Sequence, residues 1–353
     1  MHDSTKNEPL PHQAPLYWMS PPKKTWRLMG RANFRSAQAS QDPEHLEEEA
    51  LLARQEWTSL VQAIRQAGGE VLVLPPHPTL DLTGLIYTAE AGLLLQPVSS
   101  TPHLLLPRMM PPHRQPEASW IASVAFSHYG WMASKHPAQH TWEAQGDVLY
   151  LDATTAIMTY GEGAQARTSL EGLTLHAKSM ATHSIFLKFK ADPWFHGNTF
   201  LNIYHRAEDP SKRILMLASE ALFPGELERL QQWLHQEDAR AHTTTSLFII
   251  SAEESLAYAT NSLQVQRTVI APRGISARCE RMWREELDLK VVELPLDQLF
   301  IKGGGAPVCL TCKLFGLAPH HIPQRFLWQE HSTIEHFEDL IALLPEPKDS
   351  PTP

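Results

Sequence analysis

The chain has 353 residues, of which 42% are hydrophobic and 20% charged, a composition typical of a globular protein with a large core. Its net charge of −9 argues against nucleic acid as the main partner, because phosphate binding requires basic patches. No apolar run is long enough to span a membrane, the N-terminus is unlike a secretion signal, and three cysteines form no disulfide framework, so a cytoplasmic location is predicted.

Short strands and helices follow one another between two polar tails. Residues 1–14 and 346–353 are predicted to be disordered, which leaves 15–345 as a single domain. The first strand is 16–19, and a helix opened by Asp42-Pro43 runs past Ile64 to Gly68-Gly69. The further predicted strands are 70–74, 85–88, 92–95, 103–106, 147–151, 155–159, 184–190, 199–204, 213–217, 246–250, 263–270 and 290–294. The further predicted helices are 116–129, 168–178, 225–235 and 276–287.

The order of these elements predicts the fold class. Two or three strands and then a helix recur roughly every 60 to 70 residues, which indicates a repeated unit. A doubly wound sheet would instead alternate single strands with helices. We therefore predict an α+β fold of five ββαβ-like modules around a pseudo-axis, with a central pocket where the loops converge.

A glycine run near the end of the chain leads into a cysteine, in the segment Lys302-Gly-Gly-Gly-Ala-Pro-Val-Cys309-Leu-Thr-Cys312. Glycine allows backbone to pass close to a ligand, so Cys309 can be presented to a pocket as a nucleophile. The CxxC spacing is also compatible with half of a zinc site or a redox pair, and Cys309 could simply be a buried core residue. Because Cys279 is the only other cysteine and the run continues as a strand, we interpret Cys309 as the nucleophile.

Other candidate residues lie where predicted strands begin or end. Glu143 precedes a strand and has Asp147 four residues later, although a solvated loop would explain it equally well. His196 lies between two strands among aromatic residues, where a structural histidine is the alternative. Glu90 interrupts an apolar segment, and unpaired carboxylates are rarely buried.

Two arginines, Arg108 and Arg114, flank Met109-Met-Pro-Pro-His113. A guanidinium fork can hold an anion through two parallel hydrogen bonds. Solvated loop charges are the alternative interpretation of this pair.

Several of these segments, in this order, resemble the pentein enzymes that modify guanidino groups. These are the arginine deiminases and dihydrolases, the dimethylarginine dimethylaminohydrolases and the amidinotransferases. The similarity covers about residues 16 to 315. It rests on 19–22 with Asn33, the strand-loop-strand 85–95, the R-x5-R-x2-E pattern of 108–117, Glu-Ala-Gln-Gly-Asp at 143–147, Arg167-Thr168, Phe-His-Gly-Asn-Thr at 195–199 and the cysteine segment 302–311.

The resemblance implies an α/β-propeller with pseudo-fivefold symmetry and assigns roles to the candidate residues. Cys309 would form a covalent amidino intermediate, His196 would serve as general acid and then base, and Glu143 would bind the guanidinium. The implied substrate-binding residues are Glu90, Arg108, Asp147, Asn198, Arg167, Asn33 and Gly303, with Arg114 as a further candidate for a substrate carboxylate. The implied partner is a small guanidino compound, with a possible homo-oligomer and with neither metal nor organic cofactor.

Two positions depart from the family pattern. Asn198 stands where relatives have aspartate, and Glu90 stands where relatives have asparagine or aspartate. A carboxylate could thus have moved across the pocket, or the substrate could differ from free arginine. We predict a hydrolase, with an amidinotransferase as the alternative if an amine replaces water. A non-catalytic guanidino-binding protein is the third possibility.

Overall fold

The structure is a computed structural model that describes residues 14–27, 35–36, 46–95, 101–137 and 139–343. Asn33 and, apart from Ala14, both predicted tails lie outside these ranges. Within them, no helix has the length and apolar character needed to cross a membrane.

In the described part of the chain, fifteen strands form five sheets of three strands each. The first sheet contains β1 (Leu16–Met19), β2 (Glu70–Val73) and β15 (Cys312–Leu314). The second contains β3 (Leu93–Leu95), β4 (His103–Leu105) and β5 (Met132–Ser134), and the third β6 (Val148–Tyr150), β7 (Thr155–Glu162) and β8 (His183–Lys190). The fourth contains β9 (Leu201–His205), β10 (Lys212–Ala218) and β11 (Thr244–Ile250), and the fifth β12 (Leu263–Val265), β13 (Thr268–Pro272) and β14 (Lys290–Leu294).

All five sheets share one pairing pattern. The middle strand is antiparallel to one neighbour and parallel to the other. A parallel pair requires a crossover, and a helix supplies it in each sheet. These crossover helices are α1 (Leu46–Gln66), α2 (Glu117–Val124), α3 (Leu170–Met180), α4 (Glu226–Ala241) and α6 (Ala277–Arg281). Four of the units therefore run strand, strand, helix, strand along the chain, as the sequence predicts, and the first completes this order only with β15. Two further helices, α5 (Ala252–Leu256) and α7 (Ile334–Ala342), lie outside this pattern.

The first unit takes its outer strand from the far end of the chain. Strand β15 pairs antiparallel with β1, with Leu314 opposite Leu16 and Cys312 opposite Trp18. The chain therefore closes on itself through a backbone ladder.

Contacts between aromatic side chains pack α1 and α7 against this first unit. Trp57 of α1 is fully buried, and its ring centroid lies 5.3 Å from that of Trp328, which in turn stacks on Phe337 of α7. Trp18 of β1 packs against Tyr129 and Trp131 with ring centroids 6.0 and 5.9 Å apart. Large buried rings of this kind supply much of the apolar area in a core.

Two predicted strands take other conformations, and both corrections concern the candidate site. Predicted strand 85–88 is a pair of 3₁₀ turns, Thr83–Ile86 and Thr88–Glu90, because the Thr88 hydroxyl bonds the carbonyl oxygens of Trp18 and Leu310. Cys309 also lies in a turn, and β15 begins only at Cys312. Both segments are therefore turns at strand ends, where side chains can face a cavity.

Candidate active site

Turns from different sheets bring their side chains to one buried cavity of about 50 Å³. Cys309 precedes β15, and His196 lies between β8 and β9. Both line the cavity, and each side chain is at most 2% exposed. The other lining residues are Ser36, Thr83, Gly84, Tyr87, Glu90, His113, Arg114, Arg167, Phe195, Gly303 and Gly304.

Glu143 holds His196 from behind. Its Oε2 lies 2.8 Å from Nε2 of His196, and its Oε1 accepts a 2.7 Å hydrogen bond from the Met110 amide. Burial alone would raise the pKa of Glu143, but the hydrogen bond with His196 and the Arg167 charge outweigh burial and lower that pKa to about 2. Glu143 is therefore a fixed negative charge beside the imidazole.

The other imidazole nitrogen faces a second carboxylate. Nδ1 of His196 lies 3.5 Å from Oε1 of Glu90, which lines the cavity. Burial disfavours the imidazolium, but the hydrogen bond with Glu143 and the charges of Asp147 and Glu90 outweigh it, so the pKa of His196 is raised. Because Nε2 is engaged by Glu143, Nδ1 is the nitrogen available to exchange a proton with a bound molecule.

Glu90 belongs to a buried chain of charges. Arg114 donates to Oε2 of Glu90 at 2.9 Å and also to both oxygens of Glu117. Burial raises the pKa of Glu90 despite the charge of Arg114. The pKa of Glu117 is raised to about 7 by burial, so Arg114 pairs with two carboxylates that resist ionisation.

Two amide side chains surround the sulfur of Cys309. Asn261 Nδ2 donates to Sγ at 3.2 Å, while Asn261 Oδ1 accepts from the Cys309 backbone N–H at 3.0 Å. The thiol lies 3.6 Å from Asn198 Oδ1. Burial, reinforced by the nearby charge of Glu90, raises the pKa of Cys309. The sulfur is thus held in a fixed, buried setting near a carboxylate, which keeps the thiol protonated.

The glycine run lies against a tyrosine ring. A Cβ added to Gly303 or Gly305 would collide with Tyr87, whose hydroxyl donates to the Leu299 carbonyl at 3.2 Å. Gly304 has a φ of +82° and accepts a hydrogen bond from Tyr258. The close approach to Tyr87, and at Gly304 the positive φ, account for the three consecutive glycines.

Asp147 supports the site rather than lining this cavity. Its Oδ1 accepts 2.8 Å hydrogen bonds from the Thr159 hydroxyl and from the Gly197 amide, directly after His196. It therefore fixes the loop that carries the imidazole. A side chain at Gly146 would press on the His196 ring at 3.1 Å.

The three arginines occupy different places. Arg114 and Arg167 line the cavity, and Arg167 lies 3.8 Å from Glu143 and over the ring of Phe195. Arg108 does not line it; its backbone pairs with Trp142. The geometry therefore favours Arg167 or Arg114 over Arg108 as a contact for a substrate anion.

The other two cysteines make none of the contacts of Cys309 described above. Cys312 accepts from Gln145 and lies 3.5 Å from the Gly92 carbonyl oxygen, while Cys279 is buried near Glu254. In the described ranges, no group of three or more His, Cys, Asp or Glu side chains is placed to hold a metal ion.

Sequence reasoning missed Asn261, Tyr87 and His113. The available signal for Asn261 was the polar triplet Thr260-Asn261-Ser262, which directly precedes a strand. All three residues of the triplet are fully buried in the structure. Such a triplet resembles an ordinary loop in sequence, since Ser, Thr and Asn dominate turns.

The sequence matches no protein-family model and no curated protein. Its fold matches the substrate-bound N-terminal domain of ArgZ, an arginine dihydrolase from cyanobacteria, with a TM-score of 0.68, 20% identity and coverage of 85% of this chain and 98% of that one. AgrE in complex with L-arginine matches with a TM-score of 0.68 at 19% identity over 85% of this chain, which spans 40% of AgrE. A dimethylarginine dimethylaminohydrolase adduct matches at 0.56 and 18% identity over 86% of this chain and all of that one. The chain therefore has the fold of these proteins, and the resemblance indicated by its sequence is confirmed at that level.

Proposed function

We propose that this protein hydrolyses a C–N bond of a guanidino compound, such as arginine or a substituted arginine, through a covalent intermediate on Cys309. The observation that carries the proposal is that the Cys309 thiol, the His196 imidazole and the Glu90 carboxylate line one cavity, with Glu143 bonded to the imidazole from outside it. Each group has a task in the reaction. Glu90 holds a planar cation, the sulfur attacks its central carbon, and the imidazole, oriented by Glu143, protonates the nitrogen that leaves.

The first half of the reaction forms a C–S bond. The Cys309 thiol releases its proton to solvent as the cationic guanidinium enters beside it, and the thiolate adds to the guanidinium carbon. The imidazolium of His196 then protonates the departing amine, the C–N bond breaks, and an amidino group remains on sulfur. Glu143 on Nε2 keeps Nδ1 directed towards the leaving group.

The second half uses water. Neutral His196 removes a proton from water, whose oxygen attacks the same carbon and forms a C–O bond. The C–S bond breaks and the thiolate is regenerated. For a deiminase the net change is guanidinium plus water to a ureido product plus ammonium. Asn261, which donates to sulfur, would stabilise the thiolate in both halves.

The two unusual positions shape the expected substrate. Asn198 supplies an amide beside the sulfur where the family pattern has a carboxylate, and Glu90 supplies the second carboxylate from the opposite segment. The guanidinium would therefore contact Glu90, while Glu143 acts on the reaction through His196. Arg167 lines the same cavity and is the group suited to a substrate carboxylate, since Arg114 is already bonded to Glu90 and Glu117.

The finer architecture also belongs to this proposal. We infer that the five sheets surround a pseudo-fivefold axis, as in an α/β-propeller, within one domain covering 15–345. Five repeats of one strand pattern and the closure of β15 onto β1 support this arrangement. The fold of an arginine dihydrolase bound to its substrate is consistent with a pocket at the centre.

One assay tests the activity and separates the alternatives. Purified protein is incubated with arginine, methylated arginines, agmatine and guanidinoacetate, with and without glycine, and ureido product, ammonia, alkylamine and transferred amidine are measured. We expect ureido product from at least one substrate, and none from Cys309→Ser. Amidine transfer to glycine would replace the hydrolase by an amidinotransferase. Turnover that survives in Cys309→Ser would exclude the proposed nucleophile.

Covalent trapping gives an independent readout. Mass spectrometry of the acid-quenched reaction should show an amidino adduct on the peptide containing Cys309. Cys312→Ser is the matched control, since it removes a neighbouring buried thiol and should leave the adduct in place. An adduct on Cys312 instead would contradict the assignment.

A further inference from the structure

A second, larger cavity lies on the other face of the segments that form the site. Its volume is about 600 Å³, which falls within the range of small-molecule pockets. His196 and Cys309 line the catalytic cavity, whereas their chain neighbours Asn198 and Val308 line the larger one. The same segments therefore form a partition between two cavities.

The walls of the larger cavity are mostly apolar. They come from four of the five sheets and include Leu149, Ile157, Leu201, Ile203, Leu263 and Phe315. Most of the polar side chains among them already form hydrogen bonds within the protein. The Gln264 amide accepts from the backbone N–H of His205 and donates to its carbonyl oxygen, and the Gln145 amide makes the same pair of bonds with Lys313. A strongly hydrated ligand would find few partners along these walls.

Lys313 places a positive charge inside this cavity. Surrounding protein lowers the pKa of its ammonium, yet the side chain remains solvent-accessible, so it faces the cavity rather than the packed core. The ammonium lies over the ring of Phe315 at 4.9 Å. No carboxylate of the described residues lies within 4.0 Å of it.

His205 and Arg206 add two more basic groups to the same lining. Burial lowers the pKa of His205, and the charges of Arg213 and Lys313 lower it further. A protonated His205 and the Lys313 ammonium would therefore repel one another. A negatively charged group placed between them would remove this repulsion.

The carboxylates described near this cavity contact groups other than Lys313. Arg267, which also lines the cavity, is paired with Glu208 and Asp288 at 3.3 and 2.8 Å. Asp147, the acidic residue of the lining, accepts from Thr159 and Gly197 through Oδ1, while its Oδ2 is buried without a hydrogen-bond partner. At the partition, Nδ2 of Asn198 is a buried donor with no hydrogen-bond partner.

We propose that the larger cavity binds an organic carboxylate with an apolar body, its carboxylate beside Lys313, His205 and Arg206 and its body against the apolar walls. The walls favour this class over inorganic phosphate, and the cluster of basic groups favours it over a neutral or cationic molecule of the same size. The site is separate from the catalytic cavity and does not depend on the proposed reaction.

The test compares three eight-carbon probes by isothermal titration calorimetry: octanoate, octanol and octylammonium. We expect saturable 1:1 binding of octanoate only, together with a rise in Tm that grows with its concentration. Lys313→Gln should weaken octanoate binding about tenfold, as expected for loss of one charge-assisted contact. Lys313→Arg should retain it. Lys290→Gln, which removes an exposed lysine from β14, is the matched control and should bind as the wild type does.

A further experiment tests whether octanoate binds in the catalytic cavity instead. Protein alkylated at Cys309 with iodoacetamide should still bind octanoate with an unchanged Kd. The proposal would be overturned by loss of octanoate binding in the alkylated protein or by the absence of saturable heat with octanoate. It would also be overturned if octylammonium bound as well as octanoate, or if Lys313→Gln bound octanoate with unchanged affinity. If Lys313→Gln is poorly folded, Arg206→Gln serves as the second charge variant with the same expectation.

Discussion

In the proposed reaction, His196 would have to be protonated to release an amine and neutral to activate water, and its surroundings suit both states. Glu143 and Glu90 face its two nitrogens and raise its pKa against the effect of burial. The imidazolium is therefore retained to higher pH than in a free histidine. A nearby cationic substrate would lower that pKa again and bring the proton closer to transfer.

Glu143→Gln tests this coupling. Removing the charge should lower the pKa of His196, so activity should fall at a lower pH on the alkaline side than in the wild type. We also expect kcat/KM to drop about 100-fold or more, the range typical of general acid–base groups. The pH dependence of kcat/KM, with an NMR titration of His196, measures both effects. Glu171→Gln changes an exposed glutamate of α3 and should leave both measurements unchanged. If the alkaline limb of the pH profile does not shift in Glu143→Gln, Glu143 does not control the pKa of the general acid.

Asn261 is the second residue whose role can be measured directly. Its amide donates to the Cys309 sulfur and accepts from the Cys309 backbone, so Asn261→Ala should raise the pKa of the thiol. Alkylation by iodoacetamide at fixed pH should slow about tenfold, as expected for one lost hydrogen bond to a charged group. Asn261→Asp keeps the acceptor but adds a charge, and should slow alkylation further. Equal rates in both variants and the wild type would reduce Asn261 to a structural role.

At the residue scale, the sequence indicated side chains whose signal is local in the chain. The glycine run predicted that Cys309 would face a pocket, and in the structure Cys309 lines one cavity with His196 and Glu90; their catalytic roles stay predictions. Asn261 could not be found in that way. Its bond to Cys309 joins residues 48 positions apart, and a sequence does not show which distant polar group will meet the sulfur.

At the scale of elements, turns were harder to predict than strands. The run 263–270 was predicted as one strand, but it is the antiparallel pair β12 and β13. Gln266, with a φ of +49°, makes the turn without glycine or asparagine, the residues that usually mark this conformation. The hairpin of β6 and β7 was predicted correctly from its two apolar runs. A hydrogen bond from the Thr154 amide to Asp152 stabilises the turn between these strands.

The glycine run is the element that sets the position of the nucleophile. Gly303→Ala should push Tyr87 aside, cost about 1–3 kcal/mol as an overpacked site does, and lower kcat. Replacing Tyr87 by Phe removes the hydroxyl that a Cβ at Gly303 would meet, so the double variant should recover part of the loss. Urea unfolding and steady-state kinetics of the two single variants and the double variant measure the coupling. Strictly additive effects would show that the close approach to Tyr87 is not the reason for glycine.

At the scale of the whole molecule, the repeat was visible in the sequence but its closure was not. Five units were predicted between residues 15 and 345, whereas the first unit combines β1 with β15 from nearly 300 residues away. Short strands of three or four residues carry no signal for their partner. The pairing is decided by burial of Leu16, Trp18 and Leu314 together in one core.

Closure of the chain through β15 predicts that a change there weakens the entire fold. Leu314 is 5% exposed, so Leu314→Ala should cost about 2–5 kcal/mol, as buried leucines do. Leu343→Ala, at a leucine that is 84% exposed, is the matched control and should change stability by less than about 0.5 kcal/mol. If the five sheets form the proposed propeller, hydrogen exchange should show β10, in the fourth sheet, losing protection together with β1. If β1 and β2 lose protection while β10 retains it, the first unit unfolds alone and the five units are not held together by the β15–β1 ladder.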